Sequence, residues 1–117
     1  MEITKQFENE IAPFFWAGNS KGASVCLNAG EYLQELFDTR ADEGFIGNGY
    51  GWGSLAQVFL DEKCAKLQGK ISFDPEADLF CAYSEDSEAL ADFILRFRKA
   101  CDDKALISDL FSRAELD

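Results

Sequence analysis

Residues 44–54, Gly44-Phe-Ile-Gly-Asn-Gly-Tyr-Gly-Trp-Gly-Ser54, run into the apolar stretch Leu55-Ala-Gln-Val-Phe-Leu60 and constrain this chain more than any other segment. Glycines at 47, 49, 51 and 53 alternate with Asn48, Tyr50 and Trp52. Glycine serves where a backbone needs positive φ or close approach, and it is costly to order. Two large rings on such a backbone are ordered only if they pack, into this protein or into a partner. Ser54 with Gln57 reads as a capping box. Gly47, Asn48, Gly49 and Trp52 then form a shaped loop feeding a helix that starts near residue 54, with Trp52 anchoring the loop against it. Gly51-Trp-Gly-Ser-Leu-Ala56 also matches the dinucleotide fingerprint G-x-G-x-x-A. That fingerprint has meaning only between a strand and a helix of a βαβ unit, and no parallel strand flanks it here, so a nucleotide site is set aside.

The chain has 117 residues, which reads as a single domain, 1–117, long enough to bury a core. Eleven Phe and 47% hydrophobic residues argue for a folded globule. Twenty-two acidic against 11 basic residues give a net charge of −11. Such a surface repels nucleic acid and anionic membranes and favours basic partners, although acidity also serves plain solubility.

No histidine is present, which removes His-dependent acid–base catalysis, His-activated nucleophiles and His-containing metal sites. Cysteines at 26, 64, 81 and 101 are widely spaced, lie at apolar positions and form no C-x-x-C. They read as small buried hydrophobes with reduced thiols, so four free thiols are expected. The first residues lack the basic-then-apolar order of a signal peptide, and the uncharged run 44–60 is too rich in Gly to span a membrane. The expectation is a cytoplasmic protein, monomer or weak dimer, without cofactor or metal.

Apolar runs at 11–17 and 23–29, joined by a Gly-containing loop, predict a hairpin whose first strand is an edge or starts late because of Pro13. Tyr32, Leu33, Leu36 and Phe37 share one face of a helix over 31–40, which Gly44 would end. A helix follows over 54–68, then a second hairpin over 70–83 turned at Asp74-Pro75-Glu76. Leu90, Phe93, Ile94, Phe97 and Cys101 mark the clearest helix, 86–101, and 104–115 forms a short last one. Two hairpins and about four helices give an α+β domain with a largely antiparallel four-stranded sheet covered by helices on one face.

Carboxylates are the remaining candidates for chemistry: Asp42 with Glu43, Asp61 with Glu62, and the Asp74, Glu76, Asp78 cluster. Pairs can divide acid and base roles when burial separates their pKa values, but carboxylates in turns and on helix faces are ordinarily solvated. The Asp74–Asp78 cluster lacks the order of a calcium loop.

Taken together, Phe45-Ile-Gly-Asn-Gly-Tyr-Gly-Trp-Gly-Ser-Leu-Ala56, Gly69-Lys-Ile-Ser-Phe-Asp-Pro-Glu-Ala77 and Phe80-Cys-Ala-Tyr83 resemble the immunity protein 51 family, across most of residues 23–103. That family's pattern is a Gly-Asn-Gly-Tyr-Asp-Trp-like loop followed by a Phe-Asp-Pro-Glu-Ala turn. One departure is Gly51, where an acidic residue is common, so a partner contact made there would be missing from this chain. The resemblance implies an intracellular antidote that binds and blocks a cognate toxin domain, without catalysis. A basic toxin would suit the acidic charge, with Tyr50, Asp42, Glu43, Asp61 and Glu62 as the expected contacts around the loop. Two other classes stay open: a small carboxylate-dependent enzyme with its cleft beside the Gly loop, and an adaptor module unrelated to toxins.

Overall fold

Four strands form one sheet in the order β1-β2-β4-β3 in the computed structural model, which describes residues 2–19 and 21–116. They are β1 (Phe15–Asn19), β2 (Gly22–Asn28), β3 (Ser72–Phe73) and β4 (Leu79–Ser84), and each neighbouring pair is antiparallel. Alternation sets the faces. Ala23, Val25 and Leu27 of β2 pair with Ser84, Ala82 and Phe80 of β4 on the buried side. Phe15, Ser24, Cys26, Cys81 and Tyr83 lie on the other side. The α+β reading holds, and β1 is an edge strand that starts after Pro13, as its missing N–H requires.

Two hairpins distant in sequence meet at the β2–β4 seam, and this overturns one expectation. Cys26 and Cys81 stand directly opposite each other on the open face, their Cα atoms 4.2 Å apart, and are joined in a disulfide. Sequence spacing carries no sign of that register. Only Cys64 and Cys101 remain as free thiols, both buried, instead of four.

Five α-helices are present among the described residues: α1 (Lys5–Ile11), α2 (Gln34–Asp38), α3 (Gly49–Lys63), α4 (Ser87–Asp102) and α5 (Lys104–Phe111). α1 was not anticipated; Thr4 caps it by accepting from the Phe7 N–H, and it packs on α4 and β1. α2 is shorter than the 31–40 pattern suggests, because Leu33 has φ 54° and breaks the helical path before it. A 3-10 turn at Ala41–Glu43 follows, and Gly44, at φ 99°, ends that turn. α4 follows its apolar stripe closely, with the Asp86 carboxylate capping the Ala89 N–H at 3.1 Å. α3 and α4 lie across the buried face of the sheet, and α5 packs on both.

Trp52 sits at the centre of the core with no exposed surface. Tyr32 stacks on it (interplanar angle 3°), while Phe14 and Phe97 meet it edge-on, at centroid distances of 5.8, 5.8 and 6.1 Å respectively. Phe37 lies 5.2 Å away and Phe80 6.5 Å. Rings from the chain before β1, from α2, α4 and β4 thus converge on one indole. Its Nε1–H has no hydrogen-bond partner, a burial that costs about 1–3 kcal/mol and is outweighed by the ring packing. The Tyr32 hydroxyl is likewise closed off without a well-aligned partner, with the Cys101 thiol, a weak donor and acceptor, beside it.

Two outcomes follow for stability. Trp52→Ala should destabilise by about 3–5 kcal/mol in urea unfolding, and Trp52→Phe by less, since it also removes the unpaired N–H. The second outcome concerns alkaline pH. Burial pushes both the Tyr32 hydroxyl and the Cys101 thiol up to about 12. The unfolded chain releases these protons at the ordinary values of 10.0 and 9.0, so the folded state is the better proton holder above pH 9. Stability is therefore full below about pH 9 and is lost as pH rises toward 12. Urea midpoints measured across that window should fall more steeply in the parent protein than in the Tyr32→Phe, Cys101→Ala double variant.

Candidate interaction surface

The Gly-rich segment is helical where a loop was expected. α3 begins at Gly49, and Asn48 caps it by accepting from the Gly51 N–H at 3.0 Å. The Ser54–Gln57 capping box does not form: the Ser54 hydroxyl donates to the Tyr50 carbonyl one turn back, and Gln57 donates to Asp61. Of the four residues expected to shape the loop, Gly47, at φ 78°, and Asn48 lie outside the helix, while Gly49 and Trp52 lie within its first turn. Three helical glycines cost about 1 kcal/mol each against alanine. Close packing explains them. A methyl group at Gly49 would collide with the carbonyl oxygens of Glu76 and Leu79, and the Gly49 N–H donates to the Ala77 carbonyl at 3.2 Å. A methyl at Gly53 would sit 3.3 Å from Pro75 Cγ. The Phe-Asp-Pro-Glu-Ala turn is therefore seated against the first turn of α3, and two motifs distant in sequence are halves of one contact.

Beside that contact runs a groove of about 550 Å³ lined by Tyr50, Ser54, Gln57, Pro75, Arg113 and Leu116, among others. Tyr50 is 51% exposed and Leu116 36%, and Ile46, on the segment leading into α3, is 64% exposed. Two arginines fix the chain end that forms the far wall. Arg40 grips Glu43 through two bonds, donates to the carbonyls of Phe111 and Ala114, and stacks over Phe45 and Phe111. Arg113 grips Glu62 at 2.7 and 2.8 Å and Asp109 at 2.8 and 3.0 Å.

The structure does not bring all five expected contact residues together at this groove. Tyr50 lines it, and Asp42 and Glu43 immediately precede Gly44 on its edge. Asp61 and Glu62 lie three turns along α3, on its exposed side. Glu43 and Glu62 are engaged by Arg40 and Arg113, whose hydrogen bonds hold both carboxyl groups below the usual range. Asp61 accepts from Gln57 and Gln68. Asp42 makes no hydrogen bond or ion pair among the described residues. A catalytic acid needs a raised pKa, and Glu43 and Glu62 are moved the other way. Among the described residues no group of three or more Cys, Asp or Glu is placed to hold a metal ion.

Gly51 faces inward, where an added methyl would lie 3.2 Å from Phe37 and 3.4 Å from Phe45, so a side chain there would press on these rings. Ile46, Arg113 and Leu116 escaped the sequence reading. Leu116 was hidden because the last helix was extended to 115, whereas α5 stops at Phe111 and the chain turns toward Gly44.

Comparison with known proteins gives one finding. The family described as immunity protein 51 matches residues 14–116. No curated protein and no solved structure matches the chain. The match takes in the capped glycine helix, the turn seated on it and the chain end that walls the groove. The chain belongs to the immunity protein 51 family.

Proposed function

We propose that this protein is a cytoplasmic antidote that acts as one domain, binding a cognate toxin domain stoichiometrically and blocking it without catalysis. Family membership supports the general reading. The observation that carries the finer one is a single groove with exposed Tyr50 and Leu116 on its walls, on a protein of net charge −11 that also exposes Ile46 in the segment leading into α3. Exposed aromatic and aliphatic anchors inside a polar rim are the usual make-up of an energetically focused interface. Asp42, Asp61 and Glu115 supply acidic charge outside any ion pair among the described residues, Glu115 from the groove wall itself, and Glu43 and Glu62 add to the field. Such a rim speeds capture of a basic toxin surface mainly through the on-rate.

No helix among the described residues is long and apolar enough to cross a membrane. In a reducing cytoplasm Cys26 and Cys81 would stand as two thiols held opposite each other by the strand register. For the carboxylate-enzyme alternative, Glu43 and Glu62 are poor candidates for the acid, since arginine hydrogen bonds hold both below the usual carboxylate range.

Co-expression with the toxin encoded by the adjacent gene should rescue growth, and the purified pair should co-elute in equal proportion. Tyr50→Ala should weaken binding by roughly 2 kcal/mol or more with little change in stability, because the ring is half exposed. Charge reversal at Asp61 and Glu62 should slow association, and added salt should do the same to the parent pair. Protection that persists against a large molar excess of toxin would overturn the stoichiometric reading.

A further inference from the structure

At the opposite end of α3 the surface reverses sign. Two adjoining grooves of about 620 and 510 Å³ share Lys63, Asp92 and Arg96. The first adds Lys99 and Asp103 and is floored by Phe59, Leu95 and Leu106; the second adds Lys66, Lys70, Glu62 and Leu67, so five cationic side chains stand against three carboxylates. Five of the chain's 11 cationic side chains thus converge here, on a protein that carries 22 carboxylates. Helical spacing accounts for part of this: Asp92, Leu95, Arg96 and Lys99 fall at i, i+3, i+4 and i+7, the outward stripe of α4. Arg96 is paired with Asp92 at 2.8 Å and Lys70 with Asp86 at 3.8 Å, but Lys63, Lys66 and Lys99 make no ion pair among the described residues.

A lysine in the last turn of a helix complements its dipole, which explains Lys63 on α3 and Lys99 on α4 taken singly. It does not explain why three unpaired ammonium groups from separate elements share grooves with an apolar floor. We propose that these grooves dock an acidic segment of a partner polypeptide, with carboxylates meeting Lys63, Lys66 and Lys99 and apolar side chains resting on Leu95, Leu106 and Leu67. Charge complementarity selects an anion, and the apolar floor selects a polypeptide over a phosphate backbone, which gains nothing from it. The overall charge of −11 also repels a long polyanion. A second copy of this chain would have to present a different, acidic face, a head-to-tail contact that builds rings or open chains of copies. The site is about 20 Å along α3 from Tyr50 at 1.5 Å per residue, and it does not rest on the toxin reading.

Fluorescence anisotropy with no toxin present tests it, using three probes of equal length: a labelled peptide of alternating Glu and Leu pairs, its Lys-Leu counterpart, and oligodeoxythymidine. The Glu-Leu peptide should bind and the other two should not. The Lys63→Gln, Lys66→Gln, Lys99→Gln triple variant, checked by thermal melting for an intact fold, should bind it at least tenfold more weakly. Lys5→Gln, on α1, should leave the affinity unchanged. The proposal is overturned by failure of the Glu-Leu peptide to bind, by equal binding to the triple variant, or by tighter binding of oligodeoxythymidine. Light scattering that grows with protein concentration and is abolished in the triple variant would assign the grooves to self-association instead, and would equally overturn it.

Discussion

The carbonyl oxygens of Glu76 and Leu79 lie where a side chain at residue 49 would begin, and the placement of α3 follows from that contact. With hydrogen at residues 49 and 53, the helix comes close enough for the Gly49 N–H to reach the Ala77 carbonyl and for Pro75 to rest on Gly53. That approach carries Trp52 into the ring cluster of Phe14, Tyr32, Phe37, Phe80 and Phe97. Tyr50, two residues away on the helix, is turned outward into the groove. One backbone contact therefore sets both the centre of the core and the presentation of the principal candidate anchor. The poor helix propensity of the glycines is tolerated because tertiary packing routinely outweighs it.

Electrostatics divides the surface by a similar logic. Arg40 and Arg113 use their planar, multi-donor guanidinium groups to bind carboxylates and, for Arg40, chain-terminal carbonyls as well. They tether the segment after α5 beside the glycine helix. In doing so they spend Glu43 and Glu62 on structure, while Asp42, Asp61 and Glu115 make no ion pair among the described residues. At the far end of the same helix, lysines outnumber their partners. α3 thus links two surfaces of opposite character: an aromatic one with an acidic rim and a basic one over an apolar floor.

Much of the architecture was legible. The apolar run 23–29, the second hairpin turned at Pro75 and the stripe from Leu90 to Cys101 each express a local pattern that survives folding. The features that were missed depend on pairs remote in sequence. Cys26 and Cys81 become neighbours only through the register of β2 with β4. The start of α3 was placed five residues late because glycine is weighed as a helix breaker until the backbone lying against it is known. α1 is too short and polar to declare itself, with Ile11 its single buried residue. Among the candidate contact residues, Tyr50 was recognisable as a ring on a glycine backbone. Ile46 and Leu116 were not, since their exposure depends on how the chain end folds back toward Gly44.

The contact at residue 49 separates this account from one based on propensity alone. Alanine is a better helix former than glycine, so Gly49→Ala, at the first position of α3, would be neutral or stabilising if the helix were free of the 74–79 turn. The packing described here predicts the reverse: a loss of about 1–3 kcal/mol in urea unfolding from overpacking against fixed backbone, with the Trp52 fluorescence of the folded state altered. Unchanged or increased stability for Gly49→Ala would contradict it.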